Sequence, residues 1–94
     1  MNKKNIYFSE IYRGLGNAQL KDGKKDMALR YYQESLKYFE AVDKAKEPIS
    51  DSFAKDIDIV KCSVVELSTV FGNKAFEDKD FSKALDYFMD ILNY

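Results

Sequence analysis

A chain of 94 residues with 46% hydrophobic content makes one small domain, residues 1–94, which buries about two-thirds of its unfolded surface and leaves little stability for an enclosed active site. Fifteen basic residues against sixteen acidic ones leave a net charge of −1, which argues against a dedicated nucleic-acid or anionic-membrane binder. Histidine is absent and cysteine occurs once, so the commonest general base, the commonest zinc ligand and any internal disulfide are excluded together.

The N-terminal MNKKNIYF starts basic but has no apolar run long enough for a signal peptide, and no later stretch approaches the roughly 18 apolar residues of a membrane span. Asn2 or Asn5 is placed to cap a first helix running to about Leu20. Phe8, Ile11, Leu15 and Ala18 recur at helical spacing and predict its core face, which Ile6, Tyr7, Tyr12 and Leu20 broaden. Gly23 follows the last periodic residue and ends the helix.

A second helix is predicted from Lys24–Asp26 to about Lys46. Its stripe is Leu29, Tyr32, Leu36 and Phe39, flanked by Ala28, Tyr31, Ser35 and Val42. The short turn makes the pair antiparallel. Pro48 interrupts the pattern and suits the first turn of the next helix, with Ser50 and Asp51 as competing caps. In the third helix Phe53, Ile57, Val60, Val64, Leu67 and Phe71 alternate four- and three-residue steps, which overrides the strand preference of its valines and isoleucines. Cys62, without a histidine, reads as a buried small hydrophobe and fits a reducing compartment, by default the cytoplasm. After Glu77-Asp78-Lys79, Asp80 caps a fourth helix carrying Phe81, Ala84, Leu85, Phe88, Ile91 and Leu92.

The chain repeats itself. GLGNAQLKDGKKDMALRYYQESL and VFGNKAFEDKDFSKALDYFMDIL share a Gly-Asn pair, an Ala-Leu pair and a following aromatic, so that Gly16, Ala28 and Tyr32 correspond to Gly72, Ala84 and Phe88. A glycine inside a helix costs about 1 kcal/mol relative to alanine and marks a close approach. Gly16 and Ala28 therefore read as paired contact points of one hairpin.

This pattern of Tyr12, Leu15-Gly16, Ala28 and Tyr32 resembles the tetratricopeptide repeat, with Gln19 where that family favours an aromatic. The resemblance covers repeat 1, about residues 9–42, and repeat 2, about 65–94. It implies an all-α fold, a four-helix antiparallel array of two helical hairpins of the α-α superhelix kind. The period departs from the family: Gly16 to Gly72 is 56 residues, against the usual 34 or so. A helical insert, about 43–64, is therefore expected to protrude, with Phe53 and Ile57 on the overhang. Lys79 replaces the turn glycine, which is tolerable where no positive φ is needed.

In this family the first helix of each repeat lines a concave surface that binds a protein or peptide partner. The resemblance places Glu10, Arg13, Asn17 and Lys21 on the first lining helix and Thr69, Asn73, Phe76 and Glu77 on the third. Arg13, Asn17 and Asn73 also match in type three polar positions of a clamp for acidic C-termini, whose remaining basic pair would come from a third repeat. Repeat packing falls to Leu15, Gly16, Ala28, Tyr32, Gly72 and Ala84. Phe81, Leu85, Phe88 and Leu92 form a stripe that one neighbouring helix cannot cover, so this face is expected to serve self-association, including a homodimer, or the next repeat of a longer array. Either the chain is a fragment of a longer array or it pairs with another copy or a partner; a regulatory piece of a larger helical-repeat sensor is a further alternative.

ALRYYQESLKYFEAV followed by DKAKE is also similar to microtubule-interacting-and-trafficking domains, three-helix bundles that bind helical motifs. The fourth segment, a repeat of the first hairpin's signature, counts against that likeness. Most of the seven tyrosines and seven phenylalanines fall on core stripes, with Tyr7, Tyr38 and Tyr94 as the surface aromatics. Asp56, Asp58, Asp78 and Asp80 read as solvated charges without the neighbours of a calcium loop. Gly14-Leu15-Gly16 sits mid-helix and is no phosphate loop. No catalytic residue, metal, cofactor, nucleic-acid partner or membrane insertion is expected.

Overall fold

The computed structural model describes residues 3–94 and forms four helices, α1 (Lys4–Lys21), α2 (Lys25–Lys44), α3 (Asp51–Glu77) and α4 (Phe81–Ile91). Ser50 starts α3, its hydroxyl accepting from the Phe53 N–H at 3.1 Å, and Asp80 starts α4 by accepting from Lys83 at 3.3 Å. Pro48 lies in the linker ahead of α3 and not in its first turn. Among the described residues no side chain caps α1: Asn5 is already inside the helix, and Asn2 lies outside the described residues.

The first three helices stop in the same way. Past α1 the N–H groups of Gly23 and Lys24 donate to the carbonyls of Leu20 and Gln19; past α2, Lys46 and Glu47 donate to Asp43 and Val42; past α3, Lys79 and Asp80 donate to Phe76 and Ala75. This paired closure needs a left-handed residue just beyond the cap. Gly23, Lys46 and Lys79 supply it, with φ of 82°, 53° and 63°. Lys79 therefore does take a positive φ, so its replacement of glycine costs about 1–2 kcal/mol.

α1 packs along α2, α4 along α3, and α2 meets α3 across the junction, giving two hairpins in series. Their boundaries repeat at the interval of the sequence: α1 ends at Lys21 and α3 at Glu77, while α2 begins at Lys25 and α4 at Phe81. At 1.5 Å per residue, α3 is about 40 Å long. That is most of the 48 Å long axis of the molecule.

The core joins Ala28, Leu29, Tyr32 and Leu36 of α2 to Phe53, Ile57, Val60, Val64 and Leu67 of α3, with Ile6, Phe39, Phe71 and Tyr87 packed around it. Phe53 and Ile57 are thus core residues and not an overhang. The inserted segment lengthens α2 and α3 together, so each covers the other, and the rings of Phe39 and Phe53 meet with centroids 6.1 Å apart.

α1 turns a different face inward from the one its apolar spacing predicts. Its buried residues are Ser9 and Gly16, while Tyr7, Ile11, Leu15 and Leu20 are exposed. The small side chains let α2 approach: the Ser9 hydroxyl donates to the Ser35 carbonyl at 2.9 Å and the Ser35 hydroxyl to the Ser9 carbonyl at 2.7 Å. Gly16 is approached most closely by the ring of Tyr32, one turn beyond Ala28, rather than by Ala28 itself. Cys62 is exposed, being out of phase with the inward row Val60, Val64 and Leu67. Tyr38 is half-buried between the rings of Phe8 and Tyr12, at 5.3 and 5.6 Å, whereas Tyr7 and Tyr94 are on the surface.

Candidate functional site

On α1 the polar row Glu10, Arg13, Asn17 and Lys21 follows the helical turn, but its two central members are engaged within the chain. Arg13 Nη2 lies 3.4 Å from Asp56 Oδ2 on α3, both side chains about one-third exposed. A pair so placed contributes at most about 1 kcal/mol. Asn17 Oδ1 accepts the Tyr32 hydroxyl proton at 2.6 Å. Burial raises the pKa of that hydroxyl, and the charge of Arg13 works in the opposite sense. Glu10 and Lys21 are exposed.

On α3 the Thr69 hydroxyl donates to the Val65 carbonyl at 2.7 Å, one turn back in its own helix. Asn73 and Glu77 are exposed, and Phe76 meets Phe81 edge-on at 5.4 Å. Asn73 occupies the position of Asn17, but its opposite number to Tyr32 is Phe88, which has no hydroxyl to offer. The two polar rows are offset along the helix axis. Arg13 meets Asp56, and Thr69 lies thirteen residues further along α3, about 20 Å away at helical rise. The hairpins are stepped along the helix axis by their lengthened connection, so that Leu20, at the end of the first row, shares a groove with Glu66, Leu67 and Val70, beside the start of the second.

The apolar face of the second hairpin is a different matter. Ala84 is buried and Phe88 half-buried, with the Phe88 ring against Gly72, while Phe81, Leu85, Met89 and Leu92 point to solvent. The repeat supplies an internal control. Leu29 is 5% exposed and Leu36 2%, because α3 covers them; their counterparts Leu85 and Leu92 are 61% and 84% exposed. Phe76, Phe81, Ala84, Leu85 and Phe88 together line a shallow groove of about 300 Å³. Met89 adds to this surface and was not singled out from the sequence, although it lies one turn from Leu85. Asp56, the partner of Arg13, was likewise read only as a solvated charge.

A second groove, about 260 Å³, is formed where the chain end reaches α2, and is lined by residues including Phe39, Lys61 and Tyr94. Burial raises the pKa of Tyr94, with Glu40 and then Asp90 adding to the effect. Among the described residues no group of three or more Cys, Asp or Glu side chains could hold a metal ion, and no helix is long and apolar enough to cross a membrane. Comparison of the chain with protein-family models, with curated proteins and with solved structures finds no match.

Proposed function

We propose that this chain is a non-catalytic protein-interaction module, built of tetratricopeptide-like hairpins, that binds a protein or peptide partner through the apolar face of its second hairpin. The observation carrying this reading is the solvent exposure of Phe76, Phe81, Leu85, Met89 and Leu92 on one side of the α3–α4 hairpin. A contiguous apolar surface of this kind lowers its free energy when covered, by about 25 cal/mol per Å² removed from water. The recurrence of the turn and of the glycine–aromatic contact at one interval supports the tetratricopeptide-like reading. It also weighs against a three-helix trafficking-domain bundle, which has no use for a fourth helix repeating the second.

Arg13 and Asn17 enter this reading only in a lesser role, because a ligand would first have to displace Asp56 and Tyr32. The clamp for acidic C-termini is therefore set aside. The non-catalytic character rests on composition, above all the absence of histidine. The exposed, unpaired Cys62 suits a reducing compartment such as the cytoplasm.

The test is co-purification on immobilised full-length chain, with mass-spectrometric identification and comparison of Leu92→Asp and Arg13→Ala. Retention on wild type and Arg13→Ala, with loss on Leu92→Asp, is the expected result. Partners held equally by all three chains, or lost only on Arg13→Ala, would move the site elsewhere.

A further inference from the structure

We infer that the groove on the second hairpin receives the α1 face of a second copy of this chain, so that copies add head to tail; this rests on the protein-binding reading above and names the partner. The α2–α3 packing inside the chain is continuous with this groove and supplies its occupant. Shifted by the repeat interval, the groove residues Phe76, Phe81, Ala84, Leu85 and Phe88 become Leu20, Lys25, Ala28, Leu29 and Tyr32. That first-hairpin surface is already occupied: Val64 and Leu67 of α3 share one buried cluster with Ala28, Leu29 and Tyr32.

The residues of α1 that correspond to Val64, Leu67 and Phe71 are Phe8, Ile11 and Leu15. They have kept apolar character, yet Ile11 is 55% exposed where Leu67 is 7%. Each end of the molecule therefore carries one half of a contact whose complete form exists between α2 and α3. Ile11 of the incoming copy fills the groove beside Leu85 and Phe81, as Leu67 lies in the groove of Leu20 and Lys25 within the chain. The two patches are different surfaces, so the association is heterologous and propagates instead of stopping at a two-fold dimer.

Sedimentation of the full chain tests this with two variants, Ile11→Glu and Leu85→Glu, both at exposed positions and both checked for helical content. Wild type should grow with concentration past twice its 10.9 kDa monomer mass. Each variant alone should remain monomeric. Their mixture should form a one-to-one heterodimer and go no further, because one intact patch remains on each. Should either variant misfold, oxidative cross-linking of Ile11→Cys with Leu85→Cys, both carrying Cys62→Ser, reads the same contact: a cross-link only in the mixture supports it. A wild type that stays monomeric, or a mixture that fails to pair, overturns head-to-tail assembly. Partner capture lost on Leu92→Asp would in that event leave the protein-binding reading standing, and absence of both would end both.

Discussion

The ring of Tyr32 rests on the bare Cα of Gly16, so close that a methyl group there would come within 2.6 Å of ring atoms Cδ1 and Cε1. Gly72 stands in the same relation to Phe88, where an added methyl group would lie 2.7 Å from Cε1. Two glycine–aromatic contacts at one interval account for two of the three glycines that lie inside helices, Gly14 being the third.

Gly16→Ala should destabilise the fold by about 1–3 kcal/mol through overpacking, outweighing the gain of about 1 kcal/mol in helix propensity. Gly14→Ala, two residues away with nothing within 4 Å of the added methyl, should stabilise by up to about 1 kcal/mol. Urea midpoints compare the two directly. Equal effects would mean that the ring moves aside freely.

Lys46→Gly and Lys79→Gly should each stabilise the chain by about 0.5–1 kcal/mol. Relief of left-handed strain, about 1–2 kcal/mol, exceeds the extra disorder glycine gives the unfolded chain, about 0.5–1 kcal/mol. Gly23→Lys should cost a similar amount. Thermal melts of the three variants decide it, and a loss of stability in either lysine variant would refute the strain argument.

The Tyr32 hydroxyl, held above its ordinary pKa by burial, keeps its proton in the folded chain where the unfolded chain releases it. Its contribution is complete below about pH 10 and disappears as pH rises through the folded value. Tyr32→Phe should remove part of the alkaline loss of stability, leaving the part due to Tyr94, and should cost about 1 kcal/mol at neutral pH for the lost bond to Asn17. Tyrosinate absorbance during the titration, read with urea midpoints at neutral and alkaline pH, checks both effects.

Ile57→Ala should cost about 2–5 kcal/mol, since it opens a cavity in the core, whereas Leu85→Ala should change stability by less than about 0.5 kcal/mol. Chemical unfolding measures the contrast. Near-equal losses would mean that the core is centred differently.

Much of the fold is legible in the residues. The row from Phe53 to Phe71 announces a long helix, Ser50 and Asp80 mark two starts, and the 56-residue interval announces a second hairpin. The inward face of α1 is not legible. Periodicity tells which residues share a face, but Ser9 and Gly16 are buried because small side chains admit Tyr32 and Ser35, and hydrophobicity does not report smallness. The exposure of Leu85 and Leu92 follows from an apolar row with too few helices to cover it. The partnership of Arg13 with Asp56 depends on how far the hairpins are stepped, which the connection at residues 45–50 sets and no local pattern records.

The mutual bonds of Ser9 and Ser35 have a mechanical meaning. Sliding α1 past α2 by one turn would strand two hydroxyls in a dry interior, so the first hairpin is keyed to a single register. In the second hairpin the same positions hold Val65 and Ile91, which carry no such latch. The half of the molecule with the open groove is accordingly the half whose two helices no reciprocal serine pair ties to one register.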